Sequence, residues 1–243
     1  MIVYSSNLSQ LGRPRCRKYK AKRASVPEHK GLSVRALIFI LSTLLLSPAS
    51  VTADTLIDRF EAEATDTRLS ERGDWKFADG IASCVSDPEL YKKFSNHGPI
   101  LKWPNQFKNA TIECEIKAED CGRVVFTING DGHIFRITLA DERDEAPAGK
   151  SKVPTRLIAW AEKSSKQNKG DTLIPSGMPD LPSINGRWIP LRFEIREEEG
   201  YITIGDFKTK INHPALQRAK NTVMLTFAHG KLSVKNFKMT YVQ

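Results

Sequence analysis

The sequence predicts an all-β fold, a sandwich or barrel of about ten antiparallel strands with hardly any helix. Two stretches and their punctuation carry that expectation. In Thr111–Lys117, Ile112, Cys114 and Ile116 alternate with Thr111, Glu113, Glu115 and Lys117, the period of two that gives a strand one apolar and one polar edge. The last sixty residues repeat the pattern, with Leu191, Phe193 and Ile195 set against Arg192, Glu194 and Arg196. Short turn signals, Asp79-Gly80, Asn129-Gly130-Asp131-Gly132 and His229-Gly230, separate the alternating runs.

The first fifty or so residues stand apart from this pattern. Nine Lys or Arg against one Glu fill residues 1–53, and Ala36–Leu46 is an apolar run of eleven positions broken only by Ser42 and Thr43. Val51-Thr52-Ala53 follows in small-x-small form, so residues 1–53 read as a basic lead and a signal peptide cleaved near Ala53. A membrane anchor needs about twenty apolar residues, which this run does not reach. A start near Leu32 or Val34 would give a leader of ordinary length. Without the leader the net charge falls from +9 to +1, since residues 54–243 hold 28 Lys or Arg against 27 Asp or Glu. Net charge therefore gives no case for nucleic acid as a partner. The expected mature chain is a single secreted or periplasmic domain, residues 54–243, with no stable membrane span.

In chain order, Thr55–Ala64 is a short helix or an edge strand. Asp74–Val85 reads as a hairpin on Asp79-Gly80, and Asp87–His97 as one or two helical turns opened by Asp-Pro. Pro99–Trp103 is a short strand, and Trp103-Pro104-Asn105 turns into the central segment. Thr111–Leu139 reads as a three-stranded meander. Asp141–Val153 is a charged loop, Arg156–Ala161 a strand, and Lys163–Asn185 a long irregular stretch. Trp188–Arg196 and Tyr201–Phe207 pair across Glu199-Gly200. A strand around Val223, Leu225 and Phe227 precedes the closing strand Leu232–Val242. In that last strand the apolar parity changes near Lys235 and Asn236, which predicts a bulge. Jelly-roll topology would set it beside the strands around Trp75 or Thr111.

Four segments resemble a known family: Trp75–Gly80, Phe107–Glu115, Trp188–Ile195 and Leu232–Met239. Together they look like the frame of the 3-keto-disaccharide hydrolase family, within the concanavalin A-like lectin and glucanase group abundant among exported bacterial proteins. The resemblance implies a concanavalin A-like jelly-roll β-sandwich of two antiparallel sheets and a carbohydrate ligand. Where the family carries Asn-Ser-Gly and Asn-Gly segments, this chain has Asp120-Cys121-Gly122 and Gly205-Asp206. The resemblance supplies no catalytic set.

Residue chemistry narrows the function classes. Hydrolysis of a glycoside calls for two carboxylates roughly 5–10 Å apart in a cleft. Glu113 and Glu115 share a strand edge at such a spacing, as residues of any solvated strand do. No two His lie at i, i+2 or i, i+4, which argues against zinc, and Asn129–Gly132 reads as a hairpin turn before a calcium loop. No cofactor and no metal are expected. Sugars are held by an aromatic face and a few polar groups, and Arg136, Trp160, Arg192 and Glu194 supply both if their strand edges share one concave sheet. Otherwise Trp160 is core and the charges are cross-strand pairs. Trp75, Trp103 and Trp188 read as core. Of Cys84, Cys114 and Cys121, the pair to expect if a disulfide forms is Cys84 with Cys121. An exported carbohydrate-binding domain is the leading expectation, a glycoside or 3-keto-glycoside hydrolase or lyase the second, and a structural domain the third.

Overall fold

A computed structural model describes residues 52–61, 65–95, 97–140, 155–173 and 184–243. The leader, the Asp141–Val153 loop and residues 174–183 of the irregular stretch lie outside the described residues. In chain order the elements are β1 (Asp54–Asp58), β2 (Leu69–Glu71), β3 (Lys76–Ala78), β4 (Ile81–Val85), α1 (Pro88–Lys93), β5 (Ile100–Phe107) and β6 (Asn109–Glu119). They continue with β7 (Arg123–Gly130), β8 (Gly132–Ala140), β9 (Arg156–Ala159), β10 (Asp171–Leu173), β11 (Trp188–Arg196), β12 (Glu199–Ile204) and β13 (Phe207–Asn212). A short 3-10 turn (Pro214–Gln217), β14 (Lys220–Ala228) and β15 (Lys231–Val242) close the chain.

One sheet runs β13-β12-β11-β6-β15-β4-β3, with β1 paired to β15, and the other runs β10-β9-β8-β7-β14-β5-β2. The ladders of both are antiparallel. Alternation decides which side of each strand is buried. In β6 buried and part-exposed positions follow one another without a break, with Ile112, Cys114, Ile116 and Ala118 inward. Aromatic pairs tie the layers: Phe135 of β8 stacks on Phe193 of β11 at 4.7 Å, and Trp103 of β5 on Phe237 of β15 at 3.8 Å. The architecture is a concanavalin A-like jelly-roll β-sandwich.

Several expectations hold in detail. Asp79 and Gly80 turn the β3–β4 hairpin with φ of +51° and +73°, and Asp87 caps α1 by accepting from the Glu89 amide at 2.8 Å. The closing strand β15 lies between β6 and β4, and its register shifts between Lys235 and Lys238 with Asn236 at φ +55°, the bulge that the parity change implies.

Others need correction. The stretch from Thr111 to Leu139 is no single meander, because β6 belongs to one sheet and β7 and β8 to the other. The chain changes layer at Asp120–Gly122, where Asn185 Oδ1 accepts from the Cys121 amide (3.0 Å) and its Nδ2 donates to the Cys121 carbonyl (3.3 Å). Trp103-Pro104-Asn105 continues β5 instead of turning, with Pro104 next to the irregularity in the β5–β14 register, where a proline is tolerated in a strand. The β11–β12 turn comes earlier, with Glu197 at φ +54°, and the chain turns again at Gly205-Asp206 to add β13. Of Thr55–Ala64, the residues up to Asp58 belong to the edge strand β1 and residues 62–64 lie outside the described residues, while the irregular stretch contains β10. Cys84, Cys114 and Cys121 are all free and buried, so the pairing of Cys84 with Cys121 is not formed here, and burial pushes each thiol up to about 12.

Candidate ligand groove

The candidate residues fall on opposite sides of the sandwich. Arg136 on β8 and Trp160 just after β9 face outward from the seven-stranded sheet, whereas Arg192 and Glu194 on β11 face outward from the other. Arg192 bonds Glu113 across the β6–β11 ladder and Glu194 on its own strand, and Arg196 Nε donates to Glu194 at 2.5 Å. Glu115 accepts from Asn236 Nδ2 at 2.6 Å and pairs with Lys235 at 3.3 Å. Trp188, expected in the core, lies partly exposed on this face with the Lys235 ammonium 4.4 Å from its ring centroid. This face is thus a ladder of solvated, mutually neutralising pairs.

The outer face of the seven-stranded sheet is built differently. A groove of about 270 Å³ crosses β5, β14, β7, β8 and β9 and continues into a second, more open one of about 570 Å³ under residues 164–170. His133, Arg136 and Arg156 belong to both. Parity puts them there. On β7 Val124, Phe126 and Ile128 enter the core, which turns Arg123, Val125 and Thr127 outward, and Thr127 stands directly across from Arg136. On β9 Leu157 and Ala159 are core, which turns Arg156, Ile158 and Trp160 to the groove side.

Several of these side chains are held by neighbours. His133 has Nδ1 2.7 Å from Asn129 Oδ1 and Nε2 2.8 Å from Arg136 Nη2. Arg136 is a permanent donor, so Nε2 accepts and Nδ1–H donates to Asn129. Burial first, and then the Arg136 charge, push the His133 imidazole down to about 4. Arg123 Nη2 donates to the Tyr91 hydroxyl at 3.0 Å, so α1 contributes Tyr91 to the rim. Arg218 closes the far end: its guanidinium donates to the carbonyls of Asp131 (2.5 Å), Trp160 (2.7 Å), Glu162 (3.1 Å) and His133 (3.2 Å).

Trp160 is placed on the groove side but is only 4% exposed. Gly170, at φ +77°, lies across its indole so closely that a Cβ there would come within 2.7 Å of Nε1. The ring is therefore a support, not an open stacking platform. The Arg136 guanidinium sits 5.5 Å from its centroid and the His133 ring 5.4 Å. Sequence reading reached Arg136 and Trp160, with Arg156 on the strand edge of Trp160, but missed Tyr91, Arg123 and His133. Their parity was legible; that four separate elements converge on one sheet face was not.

No protein-family model matches the chain, and no curated protein matches it. Solved structures do. A structure described as a native glycosidic hydrolase aligns over 79% of this chain and 98% of its own, at 12% identity and a TM-score of 0.51. A β-1,3-1,4-glucanase (lichenase) derived from a mouse hindgut metagenome aligns over 77% and 98%, at 13% identity and a TM-score of 0.49. The carbohydrate-binding module CBM66 from Bacillus subtilis aligns over 71% and 94%, at 10% identity and a TM-score of 0.48. At such identities the likeness is one of fold. Among the described residues no helix is long and apolar enough to cross a membrane.

Proposed function

We propose that this chain is an exported carbohydrate-binding domain whose ligand lies in the groove on the outer face of the seven-stranded sheet. The observation that carries the reading is the composition of that groove. Tyr91, Thr127, His133, Arg136 and Arg156 bring hydrogen-bonding groups into a preformed trough, and none of the described lining residues is Asp or Glu. Such a site can orient hydroxyl and ring oxygens, but it offers no pair of carboxylates for acid–base cleavage. Hydrolysis of a 3-keto-glycoside, which the four-segment resemblance implies, is the lesser reading for that reason. Arg136 is the proposed ligand contact among the residues singled out from sequence. Trp160 acts beneath it by fixing its position, and Arg192 and Glu194, on the opposite face, are outside the site.

A glycan array probed with the purified protein tests the reading. Binding is expected, to be lost in Arg136→Ala and retained in Arg192→Ala. Trp160→Ala is expected to weaken it through misplacement of Arg136. A protein that binds no glycan refutes the proposal, and release of new reducing ends from a bound glycan replaces it with the hydrolase reading.

A further inference from the structure

Among the described residues, nothing around the groove offsets its charge. Arg123, Arg136 and Arg156 line it together, and Lys166 and Lys169 line its extension. Neither part has an Asp or Glu among its described lining residues, and none of these three arginines forms an ion pair with a described residue. The opposite sheet shows what the same chain does with strand arginines elsewhere: there Arg192 and Arg196 are matched by Glu113 and Glu194. Like charges gathered on one face of a folded protein cost stability unless something else uses them.

Hydrogen bonding points the same way. Arg136 Nε and Arg156 Nε are buried without a partner, and so is Oγ1 of Thr127, a fully buried residue on the groove floor next to Arg136 across the β7–β8 ladder. Buried donors without partners are rare and costly. An occupant with several acceptor oxygens would satisfy all three. Burial and the neighbouring Arg156 and Arg123 charges lower the Arg136 pKa from its ordinary value, which is the electrostatic mark of cations held close together.

We infer, building on the carbohydrate reading above, that the groove is specific for an acidic saccharide, a sugar bearing carboxylate or sulfate groups, with the anionic group held between Arg136 and Arg156. Guanidinium forks match both oxyanions in geometry, and Tyr91, Thr127 and His133 remain for the neutral parts of the ring. Lys166 and Lys169 extend the cationic track toward a neighbouring residue of an oligomer.

Titration calorimetry of the full chain with four probes at physiological ionic strength tests this. The probes are an oligogalacturonate, a sulfated galactan oligosaccharide, a neutral gluco-oligosaccharide and a single-stranded oligonucleotide. One of the two acidic saccharides is expected to bind at least tenfold more tightly than the neutral one, and which one identifies the anionic group. Arg136→Lys and Arg156→Gln are each expected to weaken that binding by about 10- to 100-fold, the loss of a charge-assisted contact. Thr127→Val, which keeps the side-chain shape, guards against misfolding as the cause and is expected to weaken it less, with melting unchanged or raised. Neutral saccharide bound as tightly as acidic overturns the anion specificity while leaving the carbohydrate reading intact. No saccharide bound at all overturns both, and oligonucleotide bound as tightly as the best saccharide overturns the saccharide as the polyanion.

Discussion

His133 is held neutral by what surrounds it, and that makes it a pH-dependent element of stability. In the unfolded chain an imidazole takes up its proton near 6.5, whereas in the fold it does so only near 4. Between those values the unfolded state binds more protons, so the contribution is complete above pH 6.5 and is lost as pH falls toward 4. The melting temperature is expected to drop between pH 7 and pH 4.5, and the part due to this residue, about 2 kcal/mol after solvent screening, should vanish in His133→Asn. An unchanged slope in that variant would assign the acid sensitivity to other groups. At this same scale the sequence was a partial guide. Arg136 could be placed on the polar edge of its strand by counting, but its importance comes from Arg123 and Arg156, which are 13 and 20 residues away in the chain and meet it only in the folded sheet.

At the level of elements, the N-terminal edge is anchored by charge buried in the core. Asp58 at the end of β1 accepts from the Phe60 amide (3.0 Å), Arg68 Nε (2.7 Å) and Trp103 Nε1 (2.9 Å), while the Arg68 guanidinium stacks 3.8 Å from the Phe77 centroid. Both charged side chains are almost fully removed from water. Asp58→Ala strips the Phe60 amide, Arg68 Nε and Trp103 Nε1 of their common acceptor, so it is expected to destabilise the domain by about 3–5 kcal/mol, read as a lower urea midpoint. A loss under about 1 kcal/mol would mean that water reaches Arg68. The β1 signal was weak in the sequence because it is an edge strand whose partner, β15, lies some 180 residues away. Strands with strict alternation, β6 and β11, were legible to within a residue or two. Period two reports that a strand has an inner face, but not which of two layers owns it, and so the β6–β7 layer change escaped notice. The parity break in β15 was readable because a bulge alters the pattern itself.

For the molecule as a whole, the described residues gather arginines in the groove of one sheet and ion pairs along the other, a local difference that the near-zero net charge of residues 54–243 conceals. The composition argument against nucleic acid rested on that net value, and the local charge is why an oligonucleotide belongs among the probes. Fold class was recoverable from sequence because alternation and turn chemistry recur along the chain. The proposed processing site can be tested at this scale too. β1 begins at Asp54, so cleavage after Ala53 would remove the leader and leave every ladder bond of β1 in place. Mass spectrometry of exported protein is expected to give an N-terminus at Asp54, and a chain recovered only with residues 1–53 attached would overturn the export proposal.

The position of β15 governs how such a chain can be built. It is the partner shared by β1, β4 and β6, and it follows all three in the chain. Until β15 is in place, three upstream segments wait with open edges, and half of the sandwich has no centre. A premature stop near Lys231 would therefore do as much harm as a deletion through the middle of the core.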